Sequence, residues 1–247
     1  MMRTTLAAAA ALCVTAAGAM AAPVTPVAPM FGDVQTATAT PVTFGGMGIP
    51  TDRSAFGTFT AMNGDQLILG LAAHQRFSNP ALADDGAGTY TAGAGANDGT
   101  PGSMVGTIGA TWNFAFFVEV IDNGGGSAMG DFGTSLLYDL DPGAGTDDAD
   151  HGTIALGALG AAGMLNPIEG SQNANFGFLT VPAPGLTPPA FAPFDPNAPG
   201  EYTFALRSTL GEVAIQVNVV SASEPGALAL AGAGLAVLGA TRLRRHG

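Results

Sequence analysis

The segment Thr111–Val120, TWNFAFFVEV, decides the fold class of this 247-residue chain. Its large apolar residues recur at every second position, as in a strand with one buried face, whereas a helix would repeat every 3.6 residues. The residues on the inward face are Trp112, Phe114, Phe116, Val118 and Val120. We therefore predict a β-strand here, with Trp112 in the core.

The residues that follow this strand predict a hairpin. The run 122–126, DNGGG, contains an Asn-Gly step, which readily adopts the positive φ angles of tight turns. Beyond it, Thr134, Leu136, Tyr138 and Leu140 alternate with less apolar or smaller positions. We predict that these two strands pair with each other.

A second hairpin is predicted further along the chain. Residues 200–207, GEYTFALR, place Tyr202, Phe204 and Leu206 on one face, and a turn follows at Leu210-Gly211. The inward residues of the next strand are Val213, Ile215, Val217 and Val219.

Weaker strands are predicted at 35–44, 55–62, 66–73 and 175–181. Glycine and proline separate almost all of these segments, as in all-β proteins with short strands. The segment 154–165 is interpreted as either a short helix or a glycine-rich strand. Together the patterns predict an all-β fold, an antiparallel β-sandwich of the immunoglobulin-like or jelly-roll-like kind, over residues 22–222.

The first 21 residues are typical of a secretory signal peptide. A single cation, Arg3, precedes an apolar run from Leu6 to Ala17, and Ala19-Met20-Ala21 forms a small-x-small cleavage site. The one cysteine, Cys13, lies inside this peptide. The mature chain would therefore have neither disulfides nor thiolate chemistry.

The last 25 residues predict a membrane segment with a basic end. Residues 227–240 are all Ala, Leu, Val or Gly. As a helix they would rise about 21 Å, which is short of a hydrocarbon core of roughly 30 Å. Pro225-Gly226 precedes this segment, and three arginines, which favour the cytoplasmic side of a membrane, follow it at 242, 244 and 245. We predict a transmembrane-like helix at 227–241 and a basic end at 242–247.

The order of these features, from Ser223 to Gly247, resembles the PEP-CTERM sorting signal of Gram-negative bacteria. The residues that carry the resemblance are Glu224, Pro225, Gly226, Arg242, Arg244 and Arg245. Ser223 stands where the family most often has proline. The resemblance implies membrane retention and cutting by an exosortase, in species that also make exopolysaccharide. This tail is also called an ice-binding protein C-terminal domain, although it implies sorting and no affinity for ice.

The charge of the body excludes some partners. Residues 22–222 carry 18 acidic residues against three arginines, Arg53, Arg76 and Arg207, which gives a net charge of −15. Such a surface repels nucleic acid phosphates and anionic lipid. We expect no nucleic-acid partner.

One acidic stretch is a candidate for calcium binding. Its five aspartates are Asp139, Asp141, Asp147, Asp148 and Asp150. Ca²⁺ takes six to eight oxygen ligands, and a weak extracellular site needs no strict spacing. The stretch lacks the glycine and the glutamate that an EF-hand has at its sixth and twelfth positions. A solvated hairpin loop is the favoured interpretation, and no other cofactor is predicted.

Three classes of function are compatible with the sequence. The first and preferred is an exported, non-catalytic protein of the cell envelope or exopolysaccharide matrix, which passes through an inner-membrane intermediate to the cell surface or matrix. The second is a carbohydrate- or ice-binding module, for which Thr36, Thr38 and Thr40 would form a flat row on one strand. The third is a secreted hydrolase with two catalytic carboxylates, although no HExxH, GxSxG or CxxC motif is present.

Overall fold

The computed structural model describes residues 24–77, 81–97, 109–163 and 165–221. The predicted signal peptide (1–21) and the predicted sorting tail (223–247), with its predicted apolar helix, lie outside these residues. Within the described ranges, no helix has both the length and the apolar character needed to cross a bilayer.

The described residues are mostly β-strand, as predicted. The strands are β1 (Met30–Gly32), β2 (Ser54–Thr60), β3 (Gln66–Gln75), β4 (Ala83–Asp84), β5 (Thr89–Gly93), β6 (Ala96–Asn97), β7 (Gly109–Ala110), β8 (Trp112–Ile121), β9 (Ser135–Tyr138), β10 (Gly152–Ile154), β11 (Ile168–Gln172), β12 (Leu186–Thr187), β13 (Gly200–Arg207) and β14 (Glu212–Val220). The helices are α1 (Leu156–Gly163) and short 3-10 helices at Val34–Thr36, Met129–Phe132, Asp148–Asp150 and Gly177–Thr180.

Two large sheets contain most of these strands. The first has the order β1-β2-β3-β8-β11, and the second has the order β12-β10-β9-β13-β14-β5-β4. Neighbouring strands are antiparallel, except that β14 and β5 are parallel. Strands β6 and β7 form a separate antiparallel pair.

The inward faces of both sheets contribute to one apolar core. Trp112 of β8 is only 1% exposed, and its ring contacts those of Phe194 and Phe204 edge-on, with centroids 6.1 and 5.9 Å apart. Every inward residue that the alternation predicted on β8, β13 and β14 is buried in this core. The predicted inward faces of these three strands are therefore confirmed. The terminal hairpin β13–β14, with Phe204 opposite Ile215, is confirmed as well.

A second, smaller core covers the opposite face of β8. Ala115 and Phe117 point to this side and contact an irregular segment, residues 33–49, which contributes Val34, Val42 and Phe44. Strand β8 is therefore buried on both faces, because one face packs in the main core and the other is covered by this segment.

Two glutamates fasten the segment 33–49 to the sheet. Oε2 of Glu119, on β8, accepts the N–H of Ala39 at 2.9 Å, and Oε2 of Glu169, on β11, accepts the N–H of Thr43 at 2.9 Å. These bonds satisfy backbone groups that have no sheet partner at these positions.

The prediction of a strand at 35–44 is wrong. Asp33 begins a 3-10 helix instead, because its carboxylate accepts the N–H of Gln35 at 3.1 Å. The Gln35 side chain then accepts the N–H of Val42 at 2.7 Å and donates to the carbonyl of Thr40 at 3.1 Å. These local bonds compete with a sheet ladder and fold the segment into turns.

The predicted pairing of the strand at 111–120 with the strand at 134–140 is also wrong. Strand β8 pairs with β3 and β11, whereas β9 pairs with β10 and β13 in the other sheet. After Ile121 the chain bends through Gly124 and Gly126, which both have positive φ, and then enters the 3-10 helix Met129–Phe132. The connection thus carries the chain from one sheet to the other instead of closing a tight hairpin.

Of the weaker strand predictions, some are confirmed and some are wrong. Strands β2 and β3 confirm the segments 55–62 and 66–73, but the segment 175–181 forms the 3-10 helix Gly177–Thr180. The segment 154–165 contains the short helix of the two alternatives. In that helix Gly160 packs closely, because a Cβ atom there would meet Cδ1 of Ile168 and Cγ of Met129, and these side chains would have to shift.

Candidate functional site

The five aspartates of the candidate calcium stretch are mostly engaged in local contacts. Asp139 is buried at the end of β9 and accepts the N–H of Asp141 at 2.8 Å; burial raises the pKa of Asp139. Asp141 in turn accepts the N–H of Gly143 at 2.8 Å. Both carboxylates therefore shape the turn that follows β9.

The other three aspartates surround the 3-10 helix Asp148–Asp150. Asp147 is its N-cap residue, and Asp150 is exposed at its end. Asp148 binds Nη1 of Arg207 through both carboxylate oxygens, at 2.8 and 2.9 Å. Across the described ranges, no three His, Asp or Glu side chains converge to hold a metal ion. Calcium binding by this stretch stays a prediction.

Both histidines of the body are buried and hydrogen-bonded at each ring nitrogen. His151 lies next to the acidic stretch, with Nδ1 3.0 Å from the carbonyl oxygen of Asp147 and Nε2 2.7 Å from Oγ1 of Thr203. Since the carbonyl can only accept, Nδ1 carries the proton in the neutral ring and Nε2 accepts from the Thr203 hydroxyl.

His74 takes part in a polar row across three strands. Its Nδ1 lies 2.9 Å from the carbonyl oxygen of Gln75, and its Nε2 lies 2.8 Å from Oγ of Ser171 on β11. Nδ2 of Asn113, on the intervening β8, donates to the same Oγ at 3.3 Å, and Asn173 donates to Oδ1 of Asn113 at 2.8 Å. The row links β3, β8 and β11 through side chains.

A serine and a histidine at this distance are the minimal pair for nucleophilic catalysis. Here, however, His74 is only 2% exposed, so a substrate cannot contact its ring. Burial also lowers the pKa of His74, which keeps the ring neutral. The arrangement fits a structural network.

The threonines at 36, 38 and 40 do not form a flat row. Thr36 belongs to a 3-10 helix, and its hydroxyl donates to the carbonyl of Asp33 at 2.7 Å. The Thr38 hydroxyl donates to the carbonyl of Thr40 at 2.8 Å. Because the hydroxyls serve local turns, this segment does not present the regular surface that ice binding would need.

Most of the large aromatic residues lie in or against the core, and three phenylalanines, Phe77, Phe178 and Phe191, are exposed. Trp112 and all three tyrosines are buried. By contrast, Phe77 and Phe178 are 50% and 48% exposed. The guanidinium of Arg76 lies between Phe77 and the half-buried Phe176, with its Cζ atom 4.5 Å from the centroid of the Phe77 ring and 5.9 Å from that of Phe176. The Phe176 and Phe178 rings are 6.1 Å apart.

Arg76 also lines a cleft of about 520 Å³, which we name the Arg76 cleft. Its polar lining consists of Gln75, Arg76, Thr91 and Thr111, and apolar residues in and beside β4 and β5, among them Leu82 and Ala94, complete it. It lies where the ends of β3 and β8 meet the edge of the other sheet. The backbone N–H of Arg76 donates to the carbonyl of Thr111 at 2.9 Å, which fixes these two walls.

Sequence reasoning missed both the cleft and the aromatic group. The alternation of Phe176 and Phe178 predicted a strand, whereas the chain forms a 3-10 helix there and leaves Phe178 exposed. The pair Arg76-Phe77 could have indicated this site. It places one of the three arginines of the body next to an aromatic residue, directly after a clearly predicted strand.

No family model matches the chain, and neither the curated proteins nor the solved structures contain a significant match. A function must therefore be argued from the residues of this chain.

Proposed function

We propose that this chain is an exported, non-catalytic protein of the cell envelope or the exopolysaccharide matrix of a Gram-negative bacterium. Its C-terminal tail retains it at the inner membrane, where an exosortase cuts it before delivery to the surface. One observation carries the proposal: residues 1–21 are typical of a signal peptide, and the other end has Glu224-Pro225-Gly226, an apolar segment and an arginine cluster, in that order.

We also propose that residues 22–222 form one β-sandwich of the immunoglobulin-like or jelly-roll-like kind. Support comes from the apolar core to which both sheets contribute, in which rings from opposite sheets are in contact. A folded body of this kind needs no disulfide, consistent with a mature chain that lacks cysteine.

The spacing between the body and the tail supports sorting at the membrane. Strand β14 ends at Val220, and the motif begins at Ser223. The residues between them span on the order of 10 Å when extended. The sorting motif would therefore lie close to the folded body.

The experiment is expression in two hosts, one with an exosortase and one without, followed by intact mass spectrometry of the product. We expect the chain to lose the segment beyond about Pro225 only where the enzyme is present. Ser223→Pro restores the usual Pro-Glu-Pro and should raise the fraction cut, whereas Pro225→Ala should abolish cutting. Pro182→Ala, a proline replacement in an exposed loop of the body, is the matched control and should be cut like the wild type.

An uncut tail in both hosts, for the wild type and for Ser223→Pro alike, would overturn the sorting proposal. Replacing all three tail arginines by serine separates retention from cutting. We expect this variant to be released from the membrane fraction, because the cations that hold the segment at the cytoplasmic face are gone.

A further inference from the structure

We propose that the Arg76 cleft and the adjacent rings of Phe77 and Phe178 bind neutral pyranose units of a polysaccharide. This inference rests on the proposed function, since it assigns the polysaccharide contact of a matrix protein to a specific surface. The ligand class follows from two features that lie side by side: exposed aromatic rings and a cleft whose walls carry hydroxyl, amide and guanidinium groups.

The aromatic rings match the apolar face of a sugar. A pyranose ring presents several C–H groups on one face, and aromatic faces attract such weakly positive hydrogens through their quadrupole. Phe77 contacts the guanidinium of Arg76, which also contacts Phe176, and the ring of Phe176 contacts that of Phe178. Phe77 and Phe178, at the two ends of this contiguous group, each have about half of their surface in solvent. Clustered exposure of this kind marks an interaction surface.

The polar lining matches the hydroxyl groups of the same ligand. The Thr111 hydroxyl donates its proton to the carbonyl of Gly93 at 2.7 Å, so its oxygen faces a ligand as an acceptor. Gln75 and Thr91 line the same cleft with an amide and a hydroxyl, groups that can both donate and accept, and the cleft volume is in the range of small-ligand sites. Donors and acceptors in alternation suit a sugar, whose hydroxyls both donate and accept.

The backbone of Phe77 indicates that its ring is held in place. Its φ angle is 64°, in the left-handed region that large side chains rarely adopt. Glycine would occupy this conformation without strain. Strained residues of this kind concentrate at functional sites, where the strained backbone places a side chain that the function needs. Here the strain places an aromatic ring over the guanidinium of Arg76.

Charge selects a neutral ligand over an acidic one. The body carries a net charge of −15, so a polyanion approaches it against long-range repulsion. Carboxylates are absent from the described lining of the cleft, so that lining has no anionic group to bind a cationic sugar.

The test uses the full chain and measures binding by isothermal titration calorimetry to hexasaccharides of known linkage. The neutral probes are β-1,4-glucan, β-1,3-glucan and α-1,4-glucan hexasaccharides, and the acidic probe is a galacturonan hexasaccharide. We expect binding to at least one neutral probe. Phe77→Gly should weaken that binding at least tenfold while its thermal midpoint stays the same or rises, because the substitution relieves the strained φ. Phe178→Ala should also weaken binding.

Leu159→Ala is the matched control. Leu159 is an apolar residue of similar exposure, 46%, on helix α1. That helix contacts Ile168, which pairs with Val118, whereas the cleft lies at the opposite end of β8 near Trp112. We expect this variant to bind like the wild type.

Three results would overturn the inference: no binding of any neutral probe by the wild type, binding of the galacturonan alone, or wild-type affinity in Phe77→Gly. These failures are distinguishable from failure of the proposed function, which is read from the mass of the tail. If the tail is cut but no saccharide binds, only the proposed role of the cleft is wrong. If a saccharide binds but the tail is not cut, only the proposed sorting pathway is wrong.

Discussion

The ring of Phe114 on β8 stacks on the ring of Phe204 on β13, with centroids 4.3 Å apart and planes 21° from parallel. Both side chains are fully buried, and they belong to different sheets. This pair is therefore a direct link between the two sheets at the centre of the core.

Replacing either ring should destabilise the protein strongly. We expect Phe114→Ala and Phe204→Ala each to lower the free energy of unfolding by about 3–5 kcal/mol, as for other buried aromatic residues. Since each ring loses its partner in either variant, the double variant should be less damaging than the sum, by about 0.5–1.5 kcal/mol. Urea denaturation measures all three values. Strict additivity would show that the stacking contributes nothing beyond burial.

Gly152 is required by a single ring. A Cβ atom at this position would come within 3 Å of three ring carbons of Tyr138, whose hydroxyl donates to the carbonyl of Leu179 at 2.6 Å. We expect Gly152→Ala to displace this ring and to lower the free energy of unfolding by about 1–3 kcal/mol, the usual range for overpacking. Gly177→Ala is the control, because no atom lies within 4 Å of a Cβ built there. Equal stability of the two variants, measured by urea denaturation, would contradict this account.

Ionisation of Asp65 should make the free energy of unfolding depend on pH in the acidic range. Hydrogen bonds from the Ser127 side chain and from the backbone N–H groups of Ser127, Asn123 and Gly125 hold the pKa of Asp65 well below its usual range. A carboxyl group with a lowered folded-state pKa stabilises the protein above its unfolded pKa of about 4, and this contribution is lost as the pH falls below that value. We expect Asp65→Asn to be less stable than the wild type at pH 7.

The urea midpoint measured from pH 7 to pH 2 checks this sign. The difference between the wild type and Asp65→Asn should narrow below about pH 4, as the wild type loses its charged-state advantage. Asp52→Asn, at an exposed aspartate, removes the same charge and should show a much smaller difference at pH 7. A difference for Asp65→Asn that is constant with pH would mean that ionisation is not the source of its effect.

Calcium should have little effect on the acidic stretch from 139 to 150. Asp148 is bound to Arg207, and Asp139 and Asp141 accept backbone N–H groups, so three of the five carboxylates already have partners. We expect about 5 mM Ca²⁺, enough for a typical extracellular site, to shift the thermal midpoint no more than the same concentration of Mg²⁺ does. A rise specific to Ca²⁺ that Asp139→Asn removes would instead establish the site.

The sequence predicted best where one apolar pattern determined the structure. Trp112, Phe114 and Phe116 on β8, and Tyr202 and Phe204 on β13, alternate without interruption, and all are buried as expected. Period-two alternation fixes which face is buried, but it does not identify the neighbouring strand. The glycines at 124–126 correctly indicated a bend, yet nothing local shows that the next strand joins the other sheet.

The candidate site was less predictable because it depends on contacts between distant segments. Arg76 and Phe176 are a hundred positions apart, and their rings and guanidinium meet only after β3 and β11 take places on either side of β8. The prediction of a strand at 35–44 was wrong for a related reason. Glu119 and Glu169 accept backbone N–H groups of this segment, and these distant residues do not appear in the local sequence pattern.

The place of β14 in the seven-stranded sheet has a consequence for synthesis. This strand is the last in the described chain, yet it lies between β13 and β5, so the early strands β4 and β5 join the sheet only through it. Until β14 has been synthesised, β5 and β4 cannot join the other strands of that sheet, and the core residues they cover lack part of their packing. We therefore expect this sheet to be completed only near the end of synthesis. Late completion would suit the proposed export if the chain crosses the membrane unfolded.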